Sequence, residues 1–470
     1  MNNKLTKLEL YWVLYDVGNS AFVLLVATIL PIYFNHLADT AGLSEVDYLA
    51  YWGYAASVAT VIVALLGPVL GSIADMQNYK KPLFTACMMV GVIGCAALSV
   101  PTSWIVFLAV YVIAKVGFNA SLIFYDSMLT DVTTEERFDM VSSNGYAWGY
   151  IGSCIPFVIS LAFVLLYDSI GITFRTAMTI AFSLNAAWWL VVTLPLLRNY
   201  KQTHFVSGTD SGTGTEARNH TNSRAASDSP EYKISQDTKR NTTRQPQAQS
   251  NTAGQPQAEK GSSLIRSSFS RLGHTFVEIS HQKNIFFYLL AFFFFIDGVY
   301  TIIDMATAYG SALGLDTTGL LLALLVTQIV AFPFALIFGR LSRQFRTEQL
   351  IRFCIGAYTF IALFAIQLDK QWEFWLLAVC VGMFQGAIQA LSRSYFAKII
   401  PPEKSGEYFG IYDIFGKGAS FMGTFLVGVI AQITGSTSAG VSVLAVMFVI
   451  GFVLFGKAAK LNHPQNSGSV

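Results

Sequence analysis

"LYDVGNSAFVLLVATILPIYF", residues 14–34, is an apolar run that carries Asp16, Asn19 and Ser20 near its start. A membrane-spanning helix needs about 20 largely apolar residues, whereas a carboxylate at the bilayer centre costs roughly 2.5–3.5 kcal/mol. Helix positions i, i+3 and i+4 share one face. The stretch therefore predicts a spanning helix whose polar stripe faces away from lipid.

The composition of the chain is that of a membrane protein. Of its 470 residues, 53% are hydrophobic and 12% are charged, whereas a soluble domain has about 25% charged residues. The net charge of +2 indicates no nucleic-acid partner. The five cysteines lie in apolar runs without metal-ligand spacing, so we interpret them as small hydrophobic residues and predict no metal and no cofactor.

Apolar runs of spanning length occur in two sets of six and predict an all-α membrane protein. The predicted spans are 11–34, 48–74, 82–100, 103–125, 143–167, 174–197, 285–310, 317–339, 349–368, 372–397, 407–433 and 437–456. They define an N-terminal bundle over 1–200 and a C-terminal bundle over 285–470. Residues 201–263 are too polar to fold and predict a disordered linker. Residues 264–284 predict an amphipathic helix, either on the membrane surface or packed on the cytoplasmic mouth.

The distribution of Lys and Arg predicts that both termini and the central linker lie in the cytoplasm. In that orientation, loops on the opposite side contain only Arg175 and Lys370 of the 30 basic residues. We predict an integral protein of a bacterial cell membrane, present as a monomer.

The two sets of spans resemble each other in sequence. Asp16 in the first span aligns with Asp297 in the seventh, and GSIADMQNYKKPL (71–83) aligns with GRLSRQFRTEQL (339–350). Two six-helix halves in the same orientation, joined by a long loop, resemble the major facilitator superfamily. The resemblance implies that spans 1, 4, 7 and 10 line a cavity and that spans 3, 6, 9 and 12 face lipid.

Ionisable residues well inside the spans must face the bundle interior and mostly pair, because bare charges would cost more than a typical folding stability. They are Asp16, Lys115, Asp297, Asp304, Asp413 and Lys417. The i, i+4 spacing of Asp413 and Lys417 predicts a mutually neutralising pair; alternatively, Lys417 bonds carbonyl groups at the cytoplasmic mouth.

Polar residues on the inward faces are the candidate substrate-binding groups. They are Asp16, Asn19, Ser20, Lys115, Asn119, Gln385 and Gln389. Lys115 is the most informative, because a lone amine deep in the fourth span needs a carboxylate. That carboxylate belongs either to the protein, with Asp16 as the expected partner, or to the substrate.

Asp297 and Asp304 are the candidate proton-coupling residues. Neither has a lysine in the middle of spans 7 to 10, and both desolvation and a nearby like charge favour a protonated carboxyl group. The alternative for Asp16 and Asp297 is a structural role as pins between helices.

The loop after the second span resembles the signature loop of the superfamily, G-x-x-x-D-x-x-x-x-[KR]-[KR]. We expect Gly71 to permit close packing, Asp75 to bond the end of a neighbouring helix, and Lys80 and Lys81 to hold the cytoplasmic surface. The second copy has Arg343 in place of the aspartate, which predicts a weaker gate in the second half. The predicted structural or gating residues are Gly71, Asp75, Lys80, Lys81, Arg393, Asp413 and Lys417.

Three motifs together resemble the autophagy-related vacuolar amino-acid effluxers and their bacterial relatives. In the first span, W-x-L-Y-D-x-A-N-S-A-F…P-x-Y-F is matched from Trp12 to Phe34, with Gly18 in place of the usual Ala. D-G-V-x-T-I-I-x-M-A is matched over 297–306, and QALSRSYFAKIIP (389–401) is similar again. The resemblance implies facilitator-type transport, with amino-acid efflux attested in fungal vacuoles.

We therefore predict a secondary transporter that moves a small polar solute, an amino acid or a related compound, with protons as the candidate coupling ion. The sequence contains no P-loop and no HExxH, so no catalytic site is predicted. The alternatives are efflux of another small solute and a non-transporting membrane receptor or scaffold. Inward-facing polar stripes in both halves favour transport, because a scaffold needs no buried carboxylates.

Overall fold

The computed structural model describes residues 4–206, 275, 277–312, 314 and 317–462. Within these residues, twelve helices are long and apolar enough to cross a membrane, which confirms the predicted all-α membrane fold. They are α1 (Lys7–Thr40), α2 (Glu45–Ala74), α3 (Lys80–Ala97), α4 (Trp104–Ser127), α5 (Phe138–Leu166), α6 (Phe174–Asn199), α7 (Lys283–Ala312), α8 (Thr317–Leu341), α9 (Thr347–Ala365), α10 (Gln371–Ile399), α11 (Ser405–Thr434) and α12 (Thr437–Asn462).

Some helices begin or end outside the predicted apolar runs; α1 begins at Lys7 rather than at residue 11, and α3 ends at Ala97 rather than at residue 100. The start of α1 is a capping box, in which the Glu9 amide donates to the Thr6 hydroxyl (3.2 Å) and the Thr6 amide donates to the Glu9 carboxylate (2.7 Å).

The two halves repeat one packing arrangement. In the first half α1 packs on α5 and α6, α2 and α3 both pack on α4, and α3 packs on α6. Each of these pairs recurs six helices later, from α7 on α11 and α12 to α9 on α12. As predicted, the third helix of each triplet carries large apolar side chains on the outer surface; examples are Ile93, Val191, Phe360 and Val453.

We call the end of the bundle that carries Val206 and Asn462 the terminal end. The halves meet through α2 on α11, α5 on α8 and α10, and α4 on α11. At the terminal end, a Cβ atom added to Gly71 would collide with the Gly406 carbonyl group. The close packing expected of Gly71 is confirmed, and its partner is the first turn of α11.

The packed chain continues past the predicted end of the first half at residue 200. The Tyr200 hydroxyl donates to Asp131 (2.5 Å), and the Val206 amide donates to the Asp75 carbonyl (2.9 Å). The predicted linker from 207 to 263 lies outside the described residues.

Most of the predicted amphipathic helix also lies outside the described residues. In its described part, Glu278 forms an ion pair with Lys404 (2.9 Å) just before α11, and Ile279 is buried. This part of the segment therefore packs at the mouth of the bundle, as one of the two expectations proposed.

Candidate functional site

Arg393 of α10 crosses from the second half into the first. Its side chain is buried, and its guanidinium donates to Asp16 of α1 (Nη2 to Oδ2, 3.3 Å) and to Asp126 of α4 (Nη1 to Oδ1, 2.9 Å). It also donates to the Ser142 hydroxyl (2.9 Å) and to the Ser142 carbonyl (3.1 Å) on α5. One side chain thus ties α10 to three helices of the other half.

Three aromatic rings of the first half surround the same guanidinium. Its central carbon lies 4.7 Å from the ring centre of Trp12, 4.4 Å from that of Tyr146 and 5.4 Å from that of Tyr125. Cation–π attraction is strongest where the cation is desolvated. Arginine is the residue best suited to this position, because its planar fork can stack on rings and bond two carboxylates at once.

The expected pair between Asp16 and Lys115 is not formed. Asp16 bonds Arg393, whereas the Lys115 ammonium donates to the hydroxyl of Tyr111 (3.0 Å), one turn away on α4. The physical reason is that Arg393, from the opposite half, reaches Asp16 at the interface. Asp126 was missed by the sequence analysis, although it continues the face of α4 that carries Lys115 and Asn119.

Asp413 and Lys417 of α11 form the predicted pair, with Nζ donating to Oδ2 at 2.7 Å. The alternative partner is also present, since the same ammonium group lies 3.3 Å from the Asn119 carbonyl of α4. Lys115 is close enough to Lys417 for their positive charges to repel each other. Among the described residues, Arg393 has two carboxylate partners and Lys417 has one, while the partly exposed Lys115 has only a hydroxyl partner.

The neutral candidates lie at the interface and beside it. Asn19 is buried and lies 3.5 Å from Asp16, which is a weak hydrogen bond. The Tyr150 hydroxyl of α5 donates to the Gln389 amide oxygen at 3.3 Å. Ser20 packs against Gly149 of α5. Of these contacts, only that between Tyr150 and Gln389 joins the two halves, so the structure does not bring these side chains together at a single point.

The two candidate proton-coupling residues differ in environment. Asp297 is fully buried, and its Oδ1 accepts from the Gly423 amide of α11 (2.9 Å) and the Thr301 hydroxyl (3.3 Å). Its Oδ2 has no hydrogen-bond partner within the described part of the chain. Asp304 is exposed. Asp297 thus packs inside the second half, whereas its sequence counterpart Asp16 joins the two halves.

Asp75 bonds the start of a helix in the other half, the kind of contact that the sequence predicted. Its carboxylate accepts from the Gly406 amide (2.7 Å) and the Glu407 amide (2.8 Å) in the first turn of α11, where the helix dipole favours an anion. Burial raises the Asp75 pKa to about 7, although the charge of Lys80 and these two amides oppose the shift.

The expectation that Lys80 and Lys81 both lie on the surface is wrong for Lys80. Lys80 is fully buried and donates to Asp131 (3.2 Å) and to the Ser405 hydroxyl of the other half (2.9 Å). Lys81 is partly exposed and donates to the Tyr200 carbonyl (3.4 Å). Residues 200–206 cover Lys80, and a local sequence motif cannot reveal that cover.

A second carboxylate joins the two halves on the side where the second loop copy lacks an aspartate. Asp139, in the first turn of α5, accepts from Ser394 (2.6 Å), Thr347 (2.7 Å) and Lys398 (2.6 Å) of the other half. The weaker gate inferred from Arg343 therefore does not follow. The carboxylate is supplied by the helix start rather than by the loop.

Solved structures with the same arrangement of helices are major facilitator transporters. The fucose transporter FucP, in an outward conformation, is 12% identical, covers 97% of this chain and 99% of its own, and has a TM-score of 0.63. A likeness at this level of identity shows the fold alone. The fold is therefore that of the major facilitator class of membrane proteins.

Sequence comparison identifies the family. The model of the family "Vacuole effluxer Atg22 like" matches residues 6–137 and 130–461. The uncharacterised MFS-type transporter YxiO of Bacillus subtilis is 37% identical over 97% of this chain and 95% of its own length. Autophagy-related protein 22-1 of Aspergillus niger is 24% identical over 66% of this chain, which is 45% of that protein. The chain belongs to the Atg22-like family of transporters.

Proposed function

We propose that the protein moves a small amino acid or a related zwitterionic compound across a bacterial cell membrane by alternating access. The terminal end would be the cytoplasmic end, because nearly all basic residues outside the spans lie there. The observation that carries the proposal is that two cations within the spanning helices differ in their partners. The Arg393 guanidinium is neutralised by carboxylates between the halves, whereas the Lys115 ammonium has no carboxylate partner among the described residues.

The contacts at the terminal end support a state that is closed toward the cytoplasm. Arg393, Asp75 and Asp139 each join the two halves through bonds that opening must break. Ions buried in such pairs become strongly destabilising when left alone. Opening therefore requires water to reach Asp16 and Asp126, so the network is a gate rather than part of the substrate site.

Lys115 is our candidate group for the substrate carboxylate. It lies near the middle of α4 and is partly exposed, and its ammonium group bonds the Tyr111 hydroxyl rather than a carboxylate. Asp304, exposed on α7 of the opposite half, is the candidate partner for the amine. A zwitterion would complement both charges, which favours an amino acid over a sugar.

Counterflow in proteoliposomes tests this assignment. Vesicles loaded with unlabelled L-amino acids should accumulate labelled amino acid through the native chain, and Lys115→Gln should reduce that accumulation by about tenfold or more. Lys457→Gln is the matched control. Lys457 is exposed near the end of α12, where its ammonium group lies 3.8 Å from the ring centre of Phe287. Counterflow of sugars or nucleosides in place of amino acids would contradict the substrate class.

Asp297 is our candidate for proton coupling. It is buried with one oxygen lacking a hydrogen-bond partner in the described structure, a position that a proton can occupy. FucP, of the same fold, is described as a fucose:proton symporter. Asp297→Asn should retain counterflow and lose accumulation driven by a pH gradient, whereas Asp304→Asn should weaken both. Unchanged pH-driven accumulation in Asp297→Asn would exclude the coupling role of Asp297.

A further inference from the structure

A small cavity lies inside the second half, between α7, α8 and α10. Its volume is about 40 Å³. Its wall is mostly aliphatic and aromatic and includes Ile303, Ala306, Thr327, Phe374 and Gln385.

The polar atoms of the wall differ in whether they are satisfied. The Thr327 hydroxyl is within hydrogen-bonding distance of the carbonyls of Ala323 (2.9 Å) and Ala378 (3.2 Å). Gln385 is only 5% exposed, and its amide oxygen has no hydrogen-bond partner among the described residues. A buried acceptor without a donor is costly, so a simple packing void is a poor explanation for this oxygen. A bound group with an N–H or O–H would satisfy it.

The cavity adjoins the surface where the two halves meet. Gln385 and Gln389 lie one turn apart on α10, and both are placed to bond the Tyr150 hydroxyl of α5. On α7, Ile303 lines the cavity and is followed directly by the exposed Asp304. A solute bound between Lys115 and Asp304 would therefore lie next to the mouth of the cavity.

We propose that this cavity is the side-chain pocket of the transport site and selects a short aliphatic group. The Gln385 amide oxygen would accept a hydrogen bond from the amine of the solute. A cavity of about 40 Å³ is well below the roughly 150 Å³ of an apolar cavity that binds benzene. Alanine- and valine-sized side chains fit the pocket better than aromatic ones. This inference rests on the proposed function, since it specifies the substrate class of that site.

Thermal shift of the purified chain gives the first test, with glycine, L-alanine, L-valine, L-leucine and L-phenylalanine as probes. We expect alanine and valine to stabilise the native chain more than phenylalanine does. Ala306→Leu fills the pocket and should weaken valine binding by about tenfold or more while sparing glycine. The control is Ala27→Leu, the same change at an exposed position of α1.

A second variant enlarges the pocket and does not depend on the folding of the first. Phe374→Ala should raise the affinity for leucine and phenylalanine relative to valine. Phe360→Ala is its control, because Phe360 is 74% exposed on the outer surface.

The acceptor role of Gln385 has its own pair of variants. Gln385→Leu should weaken the binding of every probe, whereas Gln385→Glu keeps an oxygen acceptor and should retain binding. If the native chain responds to none of the probes, the proposed function fails and this inference fails with it. If the native chain binds amino acids but the pocket variants leave the order of preference unchanged, only the pocket is refuted.

Discussion

At the scale of single residues, the gate that we propose depends on Arg393. It is held by two carboxylates and three rings, all from the other half of the chain. Removing one partner of a buried ion pair typically costs about 3–5 kcal/mol. Asp16 therefore stabilises closure at the terminal end, and its loss would leave Arg393, rather than Lys115, short of a partner.

A double-mutant cycle on stability distinguishes these two partners of Asp16. Asp16→Asn and Arg393→Gln should be strongly non-additive, with a coupling of about 1–3 kcal/mol, because the two side chains are in contact. The stability changes of Asp16→Asn and Lys115→Gln should be additive. The measurement is the midpoint of thermal unfolding for all singles and doubles. Equal coupling in both pairs would contradict the arrangement of the gate.

We expect Asp75 to make closure of the terminal end depend on pH. Its pKa in the closed state is about 7, raised mainly by burial, and exposure to water would return it toward about 3.9. The closed state thus binds the extra proton, so its stabilisation is complete below about pH 4 and is lost as the pH rises through about 7.

We therefore expect more closed molecules at pH 5.5 than at pH 8. Spin labels would be attached at Tyr79 and Phe345, two exposed positions on opposite halves, in a variant whose native cysteines are replaced by alanine. The distance between the two labels reports how far apart the halves lie at the terminal end. Asp75→Asn should abolish the pH dependence in this window. Greater closure at pH 8 would reverse the predicted sign.

At the scale of elements, α2 and α11 close the terminal end by backbone contact. A Cβ atom on Gly406 would lie 2.5 Å from the Gly71 carbonyl and 2.7 Å from Asp75 Oδ1. Backbone cannot move aside locally, so the helices must separate to admit a methyl group. Separation is available here, because the two helices belong to different halves.

Gly406→Ala should shift the protein toward the state open at the terminal end without unfolding either half. The spin-label distance between Tyr79 and Phe345 should lengthen, while the helical content stays unchanged. Gly356→Ala is the control, since a Cβ atom there meets nothing within 4 Å. Loss of helical content in Gly406→Ala alone would indicate a folding defect instead.

At the scale of the whole molecule, the segment after α6 is attached to the gate. The Asp131 carboxylate accepts from the Thr203 amide (3.0 Å) and the His204 amide (2.9 Å), and it also pairs with Lys80. Burial alone would raise the Asp131 pKa, but the Lys80 charge, the Tyr200 hydroxyl and these donors together hold it below its usual value. The boundary of a dispensable linker therefore lies after Val206.

Deletion of 207–260 should leave folding and transport intact, because the bonds to Asp131 and Asp75 remain. Deletion of 201–260 removes the bonds that Thr203 and His204 make to Asp131 and that Val206 makes to Asp75, and it should lower the unfolding midpoint and weaken closure. The measurements are thermal unfolding and counterflow for the two deletions side by side. Equal behaviour of both deletions would assign no role to residues 201–206.

The sequence by itself determined the twelve spans, the two repeated halves, the Asp413–Lys417 pair and the loop residues Gly71 and Asp75. Each follows from local rules, since hydropathy, helical period and i, i+4 spacing involve neighbouring residues. Only the tertiary structure decided which carboxylate each remaining cation meets. Arg393 takes Asp16 and Asp126, and Lys80 is buried under residues 200–206, because the partners come from segments far apart in the chain. Their encounter depends on how whole helices rotate and on which ends of the two halves touch, and no local pattern encodes that geometry.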